Sequence, residues 1–223
     1  MATLFRHRPG VLTRAFRGLA VAAILGAATA GYASTAFVDA VLADVNGAIV
    51  TAGDAAIVRA LGLFDTPPAD APIRAVDVDR LVDAWLIERE GARLQILPSP
   101  AEIEEAWRTV AARMGGMDRL HRWLDRSGID EAWAKKLVEA DLRRQRFIDM
   151  RFRVFVFVTE EDVTKAVGTG PSSPEDRQKA FQALREFAVA REIAAWLAEA
   201  RSRAAIGRTD IPPAGVPLPF ATR

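Results

Sequence analysis

Few residues in this 223-residue chain could carry out a reaction. There are two histidines, His7 and His121, and no cysteine. A thiolate nucleophile is therefore excluded, and a serine triad would have to be built on one imidazole. Such a triad also needs a serine on a sharp glycine-flanked turn, and no Gly-x-Ser-x-Gly occurs. The sequence contains no phosphate-binding glycine loop, no His-Glu-x-x-His and no Asp/Asn/Glu loop with calcium-ligand spacing. The carboxylate pairs Glu104-Glu105 and Glu160-Glu161 sit where helices begin, a position that favours them through the helix dipole rather than through acid–base work. Arg143, Arg144, Arg146, Arg151 and Arg153 form one basic cluster. Glu139, Asp141 and Asp149 interleave it, so a solvated, salt-bridged face is expected rather than a phosphate stripe. The inventory predicts no catalytic residue, no metal site and no cofactor.

The chain is richer in groups that bind apolar surfaces. It has five Trp and eleven Phe against a single Tyr. Met114 and Met117 flank Gly115-Gly116, with Trp107 before them and Trp123 after. Flexible thioethers beside a glycine hinge can adapt to varied apolar partners, so Trp107, Met114, Met117 and Trp123 are the candidate peptide-binding groove. The same spacing equally suits plain core positions.

Helices must position these residues. Asp130 to Val167 reads as a long helix, a strand and the start of another helix. Trp133, Leu137, Ala140, Phe147 and Ile148 share one face, with Lys135, Arg143 and Arg146 elsewhere. Val154 to Val158 is a run of β-branched and aromatic residues, which predicts a short strand buried on both sides. Thr159 with Asp162 predicts a capped helix start. Earlier in the chain, Asn46-Gly47 between two apolar runs predicts a hairpin, and Thr51 with Asp54 predicts a helix from Ala52 to Leu61. Val78, Leu81, Val82, Trp85 and Leu86 predict an amphipathic helix over 77–95, and Ser99-Pro100-Ala101-Glu102 opens the next one. A short helix over 118–126 follows. After the 168–174 linker, Ser173-Pro174 opens a closing helix that runs to about Ala204. A strand within 205–211 comes next, then a Pro-rich tail over 212–223. The expected fold is mainly α with a small β-sheet.

The first 33 residues differ from the rest. Arg6, Arg8, Arg14 and Arg17 precede an apolar run from Leu19 to Ala30, with no acidic residue and with small residues at two candidate processing sites, after Ala30 and Ala33. This is the three-part pattern of a secretory signal peptide; the alternative is an uncleaved inner-membrane anchor. Losing the four arginines leaves 26 Lys+Arg against 29 Asp+Glu. A chain near −3 is not a nucleic-acid binder by charge. Export without disulfides suits a bacterial-type periplasm.

The ordered set of segments VLADVNGAIVTAGDAAI, VDRLVDAWLIEREGARLQI, SPAEIEEAWRTVAARMGGMDRLHRWLDRSGIDEAWAKKLVEADLRRQRFIDMRF and RVFVFVTEEDV resembles the N-terminal chaperone domain of the SurA family. The closing stretch RQKAFQALREFAVAREIAAWLAEARSRAAIGRTDI is similar to the family's returning helix and strand. The resemblance implies one domain made of 34–167 and 175–211, with the linker standing where the family inserts its parvulin-type prolyl isomerase domains. It also implies ATP-independent binding of unfolded envelope clients, with outer-membrane protein precursors as the expected partners, and no isomerase activity. A degenerate isomerase relative and a dedicated assembly partner of one envelope protein remain the alternatives.

Overall fold

A computed structural model describes residues 39–66, 71–168, 172–212 and 214–217. The leader read in the sequence lies outside these residues, as do parts of the linker and tail. The fold is mainly helical with a small antiparallel sheet, as the periodicity predicts.

The hairpin comprises β1 (Val41–Val45) and β2 (Ala48–Thr51). Asn46 and Gly47 both take positive φ, 53° and 82°, the turn in which Asn-Gly is least strained. Asp44 holds the turn by accepting a hydrogen bond from the Gly47 amide at 2.7 Å. Thr51 ends the strand and caps α1 (Ala52–Leu61), reciprocally with Asp54. The second partner of β1 comes from the other end of the chain. β3 (Ile206–Arg208) pairs antiparallel along it, with Val45 opposite Ile206 and Ala43 opposite Arg208, giving the order β2-β1-β3. In the tail, Val216 exchanges two backbone hydrogen bonds of 2.8 Å with Ile73.

Four helices build the body: α2 (Ala75–Arg93), α3 (Pro100–Arg113), α4 (Met117–Ser127) and α5 (Glu131–Arg151). Ser99 starts α3, its hydroxyl and backbone amide donating to Glu102 and, aided by Arg146, holding that carboxyl down to about 2. Arg113 at the end of α3 donates to the carbonyls of Leu61 and Gly62, closing the C-terminus of α1 with a positive charge. Leu42, Val45, Val82, Val110, Leu120 and Leu137 are among the side chains that fill the core between sheet and helices.

The expected strand at Val154–Val158 is not there. After Phe152 the backbone makes a 3-10 turn over Arg153–Phe155, then runs extended at Val156. A strand must find a ladder partner, and this run pairs with none of the three strands; its neighbours are α5 and α7, whose Phe147 and Trp196 pack on Phe152. Phe152 turns inward, whereas Val154, Phe155 and Phe157 face solvent. From there α6 (Glu160–Val167) and the 30-residue α7 (Pro174–Arg203) form an arm that returns the chain to the body. At 1.5 Å per residue α7 is about 45 Å long. Its C-terminal part is tied to α2 by Arg201, which donates to Asp83 and to the Asp79 carbonyl.

Candidate functional site

The polar residues with chemical potential are mostly engaged with one another. Glu104 receives Lys135, Glu105 receives Arg108, Glu160 receives Arg177 and Glu161 receives Lys165. His121 lies 3.2 Å from Glu131, both about half exposed. No group of three or more potential metal ligands occurs among the described residues. Arg146 and Arg153 of the basic cluster are salt-bridged and partly exposed and Arg151 is exposed, but the cluster is not wet throughout. Arg143 and Arg144 are buried, which corrects the helix face assigned to Arg143. Arg143 reaches across to Glu88 on α2, to Glu139 and to the Ile96 carbonyl. Arg144 binds Asp141 at 2.9 Å and Asp65 at 3.1 Å.

The signal for that burial sits on α2. A Cβ added to Gly91 would lie 3.1 Å from the Arg143 side chain, so the glycine makes room for the guanidinium stem. Glu88, one turn earlier, supplies the counter-charge. Burial nevertheless raises the Glu88 pKa above its ordinary value, because desolvation outweighs the help Arg143 gives.

The four residues read as a peptide groove are brought to one region, against the main core. Trp107 is only 1% exposed and Trp123 only 5%. The Trp107 indole N–H finds no acceptor among the described residues, and Lys135 lies 5.7 Å from its ring centre. Both indoles are thus held where a peptide could not touch them without opening the core. Met114 and Met117 are partly exposed, on either side of the positive-φ pair Gly115-Gly116.

A larger apolar surface lies where the missing strand was expected. Phe147, Phe152 and Trp196 form a ring cluster with centroids 5.4 to 6.2 Å apart, joining α5 to α7. Outside that cluster runs an open cleft of about 650 Å³, walled on one side by Phe155, Val156 and Phe157 and on the other by Ala188, Ala195 and Trp196. Phe155 is 67% exposed and Phe157 84%. Arg151, Arg191, Glu192 and Glu199 rim the cleft, so its edge carries both signs of charge. Such a site can accept apolar side chains from an extended segment. The sequence signal was the Val/Phe run itself, read as core because its apolar content exceeds what most exposed segments carry.

No protein-family model matches this chain, and no curated protein matches its sequence. Among the described residues no helix is long and apolar enough to cross a bilayer.

Proposed function

We propose that this protein is an ATP-independent chaperone of the exported space, which holds unfolded envelope polypeptides and has no isomerase activity of its own. The observation that carries the reading is the exposed Phe155–Phe157 edge beside the cleft of α7. Isolated surface hydrophobics are ordinary, but contiguous aromatic exposure on a folded chain is the usual mark of a binding surface. Each phenylalanine ring covered by a client removes apolar area worth roughly 25 cal/mol per Å². A few such contacts suit weak, reversible holding. The client class, outer-membrane β-barrel precursors, comes from the resemblance to the SurA family, and the periplasmic location from the leader pattern and the lack of cysteine.

The test is suppression of aggregation when a denatured barrel precursor is diluted into buffer with the protein. The Phe155→Ser/Phe157→Ser variant should lose most of its holding while melting at the temperature of the parent. The Met114→Ser/Met117→Ser variant separates the two apolar surfaces. If it abolishes holding without loss of stability, the clients sit at the methionine pair instead. A protease-free prolyl isomerisation assay should give the uncatalysed rate. A pull-down that returns one stoichiometric partner, in place of many unfolded ones, would favour a dedicated assembly factor. Retention of the unprocessed leader in membranes would favour the anchored form.

A further inference from the structure

We propose that Asn46-Gly47 is a self-modification site: an imide-forming turn that the docked closing strand keeps silent, and that marks the chain when that strand comes away. Asn46 is the only asparagine in the chain, and a glycine follows it. The pair suits a two-residue hairpin turn, which explains its presence. It also makes asparagine chemically vulnerable, because glycine has no side chain to keep its amide from the neighbouring carboxamide.

The reaction balances with water alone. The Gly47 nitrogen loses its proton and bonds to Asn46 Cγ; the carboxamide C–N bond breaks, and ammonia leaves carrying that proton. The cyclic imide then takes up one water at either carbonyl. Opening at one side gives aspartate. Opening at the other gives isoaspartate, whose backbone runs through the former side chain and is one atom longer.

In the folded chain both reacting groups are held by other partners. The Gly47 amide donates to Asp44 at 2.7 Å, and a carboxylate there opposes loss of the proton that the nucleophile must shed. Asn46 Oδ1 accepts from the Ala205 amide at 2.9 Å, while the Asn46 amide donates to the Ala205 carbonyl at 2.8 Å. Ala205 directly precedes β3. The Asp44 contact is local and survives undocking, but the clamp on the carboxamide belongs to the closing strand.

That strand is built to open before the core does. It has three residues, of which Ile206 is half-buried and Gly207 and Arg208 are exposed. Its side-chain tie to α2, Arg208 with Asp79 at 2.8 Å, is a surface pair of the kind that contributes little. A short peripheral element of this sort opens at lower free energy than the body. Each opening frees the Asn46 carboxamide, and hydrolysis of the imide does not restore it. Both products hinder re-docking. Aspartate sets a second carboxylate near Asp44, and isoaspartate lengthens a turn whose size fixes the strand register. The turn thereby keeps a one-way record of how long β3 has been away. This inference does not depend on client binding, so either can fail alone.

Mass spectrometry of the full chain, incubated in mildly alkaline buffer with and without denaturing urea, tests it. Residue 46 should change from amide to acid in urea, and at least about tenfold more slowly in the folded protein, since the rate follows the open fraction. Ala205→Pro deletes the clamping N–H, and the extended Ala204 backbone, at φ −93° and ψ 141°, accepts a following proline. This variant should lose Asn46 several-fold faster than the parent, with Asp44→Ala giving a smaller gain. Parent protein converted in urea and refolded should exchange the amides of Ile206–Arg208 faster than unconverted protein, with the helices of the body unchanged. Equal rates in folded and unfolded chain overturn the proposal, as does an Asn46 that persists in urea. A folded Ala205→Pro that reacts at the parent rate rejects the clamp; if that variant does not fold, the urea comparison and Asp44→Ala decide. Unaltered exchange at β3 in the converted chain rejects the record.

Discussion

The body and the arm of this molecule are stabilised in different ways. In the body, side chains from the sheet and from α1 to α5 reach nearly zero exposure, and the charges that enter are paired: Arg59 with Asp77 at 2.7 Å, Arg143 with Glu88, Arg144 with Asp141. In the arm, α7 buries only Val189 over its 30 residues, and α6 buries only Val163. Most of its ion pairs are exposed, such as Lys165 with Glu161 and Lys179 with Glu175, and the half-buried exception, Arg201 with Asp83, fastens its C-terminal end to α2. Packing therefore decides the body, whereas the arm depends on helix propensity, good caps and the Phe147–Phe152–Trp196 seam. An element with so little burial opens at lower free energy than the core, which suits a surface that exchanges partners.

Substitutions can sharpen or break that contrast. In the body, Trp107→Ala should cost about 3–5 kcal/mol in denaturant unfolding, the range for losing a buried aromatic. Arg143→Met should cost a similar ~3–5 kcal/mol at neutral pH, since it strands Glu88. The pH dependence has a sign. The folded-state pKa of Glu88 is already raised, so its protonated form is favoured in the folded chain. Its contribution falls as pH rises from the ordinary glutamate value through the folded one. Removing Arg143 widens that window, so the variant's deficit should shrink on acidification; a deficit independent of pH would place the loss in packing instead.

At the arm, Val163→Ala removes two buried methyls, worth roughly 1.5 kcal/mol. That loss should appear as faster amide exchange confined to α6 and the facing part of α7, with little change in global unfolding. If exchange quickens across the body as well, arm and body fold as one unit. The smallest effect belongs to Phe187→Ser on the exposed side of α7, within about 0.5 kcal/mol of the parent.

The sequence makes most of the body legible because its signals are local. Asn46-Gly47, Thr51 with Asp54, Ser99-Pro100 and Ser173-Pro174 each encode a turn or a helix start within four residues, and the elements begin at or within a residue of where these predict. The closing strand was visible for the same reason. Arg143 was misplaced because its burial depends on Gly91 and Glu88, some fifty residues away on another helix. The Val154–Val158 run failed for a related cause: strand propensity says nothing about whether a ladder lies within reach, and this run sits beside α7 instead of beside the sheet. Of the four groove residues, the clustering was readable and the depth of the two tryptophans was not, since an amphipathic stripe looks the same when covered by a client or by α5.

The pairing of β1 with β3 also has a consequence in time. The Asn46 side chain accepts from the Ala205 amide across a separation of 159 residues. Closing a loop of that length costs roughly 4–5 kcal/mol in chain entropy, recovered only when the strand docks. During synthesis the hairpin must wait, one edge bare, until Ile206–Arg208 leave the ribosome. The sheet therefore cannot close until all the helices between its strands have been made.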